Sequence, residues 1–232
     1  GMKTNSSTLP VISIDDMPEA LQQDTKRVIA WLNENGVDVS IAEGTFREAG
    51  TCYDMDADSS QRVNDMLAEL DYDYSMYSMQ DYIAHVENFL GRKMRVVGME
   101  LSRATTGYCL RQPHRNVVFY NNTRHPMLQE HVIIHETAHL LLDHELMVVD
   151  VSDGKTTTDD IFNNIAMRFR STLPVISIRD PLLYQLNMRQ EGEAEAFAKR
   201  FLARAKAYRK QQYLTEQRNA RLFPPFGSAK SR

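Results

Sequence analysis

The sequence predicts an α+β fold: a small antiparallel sheet packed on one buried helix, with a second helix facing the first. Three observations point there. Residues 132–142 are apolar apart from His135, Glu136, Thr137 and His139, as in a helix enclosed on all sides. Three short runs precede it, Met94 to Leu101, Gly107 to Arg111 and Asn116 to Tyr120, with the β-branched and aromatic content of strands. Ala194, Phe197, Ala198, Phe201 and Leu202 recur at helical spacing after it.

The elements follow in order. Residues 1–14 read as a flexible terminus. Asp16 is placed to cap a helix with Pro18 in its first turn. Leu21, Val28, Ile29 and Leu32 make its apolar stripe, and Gly36 stops it after Asn35. Residues 37–58 are acidic and irregular. A short helix after Ser59 places Val63, Met66, Leu67 and Leu70 on one side, and a tyrosine-rich acidic link over 71–77 follows. Ser78 caps the next helix, whose Tyr82, Ile83, Val86, Phe89 and Leu90 repeat until Gly91. The three strands come next, and Asn121-Asn122 marks the turn out of the third. The apolar helix runs from about Pro126 to His144. Residues 145–190 are less regular, with a polar loop over 152–158 and a short helix near Ile161 to Arg170. A long helix from near Gln190 to about Gln211 leads into a basic tail, 212–232, where Phe223-Pro224-Pro225-Phe226-Gly227 breaks any helix. The expected organisation is a helical extension over 15–77, a core over 78–211 and that tail.

Composition narrows the class. The chain has 232 residues, 42% hydrophobic and 25% charged, the balance of a globular domain with extensions. No apolar run approaches a membrane span, so no membrane is expected as a partner. The polar start shows no signal peptide, and Cys52 and Cys109 make no disulfide framework. A cytoplasmic location is the expectation. The net charge of −4 hides an asymmetry: residues 1–90 carry 17 acidic and 5 basic side chains, and residues 196–232 carry 10 basic and 1 acidic. The basic end lacks the spaced aromatic residues of a single-strand platform, so nucleic acid is not expected as a partner. Ser7–Ile14 recurs identically as Ser171–Ile178, too short a unit for a solenoid repeat.

The chemistry concentrates at His135-Glu136-Thr137-Ala138-His139, an H-E-x-x-H motif. Residues four apart on a helix carry Cβ atoms roughly 5–6 Å apart on one face, so two imidazoles can converge on one tetrahedral zinc. Glu136 follows the first histidine directly and projects about a third of a turn away, where a carboxylate can take a proton from water. A buried apolar helix must find partners for two histidines and a glutamate, and a metal supplies one. A hydrogen-bonded pair without metal is the alternative.

A catalytic zinc takes three protein ligands, so a third is needed. Asp143 sits a further turn from His139, beyond convergence, and His144 projects about 140° round a continued helix. Leu142 and Glu145 occupy the positions where the metzincin pattern needs glycine and histidine, which excludes that class. His131 lies one turn before His135 and could line the cleft. Glu191 and Glu195 lie one turn apart along one flank of the last helix, and Glu193 points the other way. Glu191 is therefore the expected third ligand, with Glu195 placed to hydrogen-bond a ligating histidine and Glu193 as the rival ligand. Three solvated glutamates near a helix start is the plain alternative.

The run from Gln129 to His144, followed by Glu191-Gly192-Glu193-Ala194-Glu195-Ala196-Phe197-Ala198, resembles the ImmA/IrrE metallopeptidases over roughly residues 78–205. The resemblance implies a zincin-like core and a zinc-dependent endopeptidase, with Zn2+ on His135, His139 and Glu191 and Glu136 as general base. Family members sit on mobile elements or in stress responses, and several cleave or antagonise a helix-turn-helix repressor. The implied partner is thus a protein substrate of that kind, on a separate chain, since the N-terminal region does not read as a helix-turn-helix. Asn116 to Tyr120 is the expected edge on which a substrate adds as a strand, with Tyr120 a candidate for the developing oxyanion. The alternative is a non-proteolytic zinc-binding regulator that acts by binding a repressor or other partner.

Overall fold

The computed structural model describes residues 11–13, 19–35, 41–48, 55–103, 105–111, 115–144, 147–150 and 181–223. In chain order the elements are β1 (Val11–Ser13), α1 (Glu19–Glu34), β2 (Ile41–Glu48), α2 (Ala57–Leu70), a one-turn 3-10 helix (Tyr74–Met76), α3 (Met79–Leu90), β3 (Lys93–Met99), β4 (Thr105–Arg111), β5 (Arg115–Asn121), α4 (Pro126–Leu141), β6 (Met147–Asp150) and α5 (Pro181–Leu222).

The fold is α+β, as the sequence predicts, but its sheet is mixed rather than antiparallel. The strand order is β1-β6-β2-β4-β5-β3. Both outermost pairs, β1 with β6 and β3 with β5, are parallel, and the three inner pairs are antiparallel. The connection from β3 to β4 passes over the end of β5, and Asn121 locks it there. Its buried amide nitrogen donates to the carbonyls of Leu101, Ser102 and Thr105, while its amide oxygen accepts from the backbone and hydroxyl of Thr123. As a result β5 lies between β4 and β3. Asn116 to Tyr120 is therefore not an edge, and no added strand can pair with it.

Three further expectations change. Val11–Ser13 is a strand within the segment read as flexible, and Ile41–Glu48 is a strand within the segment read as irregular. The last helix starts at Pro181 and continues past Gln211 to Leu222, because no glycine or proline interrupts the chain between Gly192 and Pro224. The expected cap at Asp16 and Pro18, the stop at Gly36, the loop over 152–158, the helix near Ile161 to Arg170 and Ser171–Ile178 lie outside the described residues.

Local signals set the other helices. Asp56 caps α2 by accepting the Ser59 amide at 2.8 Å, three residues earlier than the sequence reading placed the start. Ser78 caps α3, and Gly91, at φ 65°, ends it in the left-handed conformation glycine adopts without strain.

Helices cover both faces of the sheet. On one, Trp31 of α1 stands edge-on to Phe119 of β5, with ring centroids 5.4 Å apart. On the other, Met94, Cys109 and Val118 join Ile134 and Ala138 of α4 and Phe197 and Phe201 of α5 in one core. The tyrosine-rich link has a structural task there. The rings of Tyr72, Tyr74 and Tyr77, with Tyr82 of α3, surround Phe201 at centroid distances of 4.7–5.6 Å. Burying such a ring is worth about 1.5–3 kcal/mol, and it fixes α5 alongside α4. Among the described residues no helix is long and apolar enough to cross a membrane.

Candidate metal centre

α4 presents the motif to the interior. His135, Glu136 and His139 are fully buried, and α5 brings Glu191 against them at 2% exposure. His135 Nε2 lies 2.9 Å from one Glu191 oxygen and His139 Nε2 lies 3.0 Å from the other. One ligand atom from each of His135, His139 and Glu191 falls within 4.8 Å of the others, so the group could hold a metal ion.

The donors fit a cation. His139 Nε2 and Glu191 Oε1 face each other in a buried space without the geometry of a hydrogen bond between them. A buried nitrogen and a buried oxygen aimed into one space are both satisfied by a shared positive ion.

Each imidazole of the group is held from behind. Glu195, one turn past Glu191, accepts at 2.9 Å from His135 Nδ1, the role the sequence reading gives it. Its other oxygen lies 2.8 Å from His131 Nε2, so His131, at the partly exposed rim, steadies Glu195. Glu193 does not join the group of His135, His139 and Glu191. It receives Arg62 Nη2 at 2.9 Å and the Ser59 hydroxyl at 3.0 Å, both from α2, and lies 3.4 Å from His144 Nε2. Tyr120 does not join them either: its ring packs over Gly98 of β3, where a Cβ would fall 2.7 Å from the hydroxyl.

His144 is the partner that the sequence reading set aside. That reading continued the helix through it, but α4 ends at Leu141. Asp143 adopts the left-handed conformation at φ 50°, and the His144 amide turns back to the His139 carbonyl at 3.1 Å. Arg111 of β4 clamps this turn through the carbonyls of His144 and His139 and a 3.2 Å contact with Asp143. The reversal puts His144 Nδ1 2.8 Å from His139 Nδ1. Burial pushes the His144 pKa down to about 4, so the ring is neutral at pH 7. The available signal was Asp143 itself, because aspartate tolerates the left-handed turn that ends a helix. Gly107 of β4 also escaped notice; it lies beneath Glu136 and Val132.

Comparisons with protein-family models, with curated proteins and with solved structures find no match to this chain.

Proposed function

We propose that this protein is a cytoplasmic zinc-dependent endopeptidase with a zincin-like core, related to the ImmA/IrrE metallopeptidases. The observation that carries the reading is the convergence of His135, His139 and Glu191 in one buried group beside Glu136. Two imidazoles and one carboxylate form the ligand set of catalytic zinc, and they leave a coordination position open. Bound there, zinc would polarise a peptide carbonyl and make water acidic enough for a carboxylate to deprotonate at neutral pH. Glu136 takes that proton on a carboxylate oxygen and returns it to the nitrogen of the leaving amine. Glu195 and His131 keep the His135 ring oriented throughout. By the sequence resemblance, the substrate is another protein, a helix-turn-helix repressor being the foremost candidate.

One observation favours a second reading. β2 pairs with β4 through Gly44–Glu48, so the strand beneath Glu136 has no free edge for an extended peptide. A zinc-binding regulator that works by binding alone would need no such edge.

Elemental mass spectrometry on the wild type and on Glu191→Ala, with digestion of a proteome-derived peptide library, tests both. The expected outcome is about one zinc per chain, weakened in Glu191→Ala, and cleavage by the wild type that Glu136→Gln abolishes while keeping zinc. Zinc without cleavage selects the binding protein. Absence of zinc after its re-addition overturns both readings.

A further inference from the structure

The His139 side of the centre contains more than the proposed reaction uses. His139 Nε2 faces Glu191, and the other three ring nitrogens of His139 and His144 form a chain. His139 Nδ1 meets His144 Nδ1 at 2.8 Å, and His144 Nε2 reaches Glu193 Oε1 at 3.4 Å. Beyond it, Arg62 and Ser59 donate to the same carboxylate at 2.9–3.2 Å. All these links lie within or beside the buried core, with His144 5% and Glu193 3% exposed.

Counting protons leaves one arrangement. The Glu193 carboxylate accepts from Arg62 and Ser59 and faces His144 Nε2 as an acceptor too, so a singly protonated His144 ring carries its proton on Nε2. His144 Nδ1 is then a bare acceptor. Among the described residues the group opposite it is His139 Nδ1, which must therefore carry a proton and donate. His139 Nε2 is left as a lone pair on the side of Glu191.

We propose that Glu193, acting through His144, fixes His139 in the tautomer that a metal requires, before any metal arrives. The inference rests on the reading of His139 as a ligand and makes His144 and Glu193 positioning residues. It also accounts for the two carboxylates around the ligand Glu191. Glu195 holds His135 directly, and Glu193 holds His139 at one ring's remove. The rival third ligand of the sequence reading thereby has a different task, and Arg62 and Ser59 hold its carboxylate in place.

The test reads the tautomer without metal. Long-range 1H–15N correlation spectra of metal-free, 15N-labelled protein at neutral pH should show His139 protonated at Nδ1 and bare at Nε2. His144→Phe removes the acceptor and should release His139 into a mixture of tautomers. Its zinc affinity, by competition with a chromophoric chelator, should fall 10- to 100-fold. His144→Asn places an amide oxygen where Nδ1 stood and should recover zinc binding to within a few-fold of wild type. A wild-type His139 protonated at Nε2 overturns the proposal, and so does His144→Phe binding zinc as tightly as wild type. Should the wild type bind no zinc, the metal-centre reading fails, and the tautomer alone still decides whether Glu193 sets the ring.

Discussion

Glu136 rests on Gly107: a Cβ at that glycine would lie 3.1 Å from both Cγ and Oε1 of Glu136 and 2.6 Å from Val132 Cγ1. α4 therefore reaches this depth on β4 because the strand has no side chain there. Gly107→Ala should cost about 1–3 kcal/mol in chemical denaturation, the usual penalty for overfilling a packed core. Glu136 must shift to make room, so peptide cleavage should fall much further than zinc content. Equal losses of both would show that the contact supports the fold alone.

Tyr82 and Thr137 join α3 to α4 through a buried 2.6 Å hydrogen bond. The Thr137 hydroxyl donates to the Ile134 carbonyl, so the phenol is the donor in this pair. Tyr82→Phe leaves that hydroxyl with its carbonyl partner and should cost about 0.5–1.5 kcal/mol. Thr137→Val strands a buried phenol and should cost about 1–3 kcal/mol. Urea denaturation of both variants would expose a reversed order.

Metal should stabilise the folded chain in proportion to its free concentration. At about 100 times the dissociation constant the gain is roughly 2.7 kcal/mol, visible as a rise in melting temperature that a chelator reverses. In Glu191→Ala the rise should largely vanish, because one of the three donors is gone. An undiminished rise in that variant would place the bound metal elsewhere.

The Asp56 cap carries a pH signature. The hydrogen bond from the Ser59 amide holds its carboxyl below the ordinary value of 3.8. Its contribution to stability is thus complete above that value and is lost as pH falls through the lowered one. Asp56→Asn caps without titrating, so the wild type should lose stability relative to it as the pH falls below about 4. Parallel melting curves across that range would remove Asp56 from the acid response.

What the sequence revealed was whatever a single helix encodes. The spacing of His135, His139 and Glu136, and the flank shared by Glu191 and Glu195, follow from the 3.6-residue period alone, and the structure brings those side chains together. Ser78 and Gly91 marked the ends of α3 for the same local reason. Strand pairing is not local: Gly44 pairs with Leu110 and Lys93 with Arg115, partners that no short window contains. Hence β2 and the interior place of β5 were missed. The contact between His144 and His139 was missed because one left-handed residue, Asp143, replaced a further turn of helix.

The grip of α2 on α5 dictates when the centre can form. Ser59 and Arg62 hold Glu193 from 134 and 131 positions away in the chain, and Arg200 reaches back 140 positions to the Ser60 carbonyl. Contacts of such span close large loops and are made late in folding. A nascent chain thus contains both histidines of α4 while Glu191 is still to be synthesised. Capture of a metal by all three donors would belong to the last stage of folding, and of these donors a fragment ending before α5 would supply the two imidazoles alone.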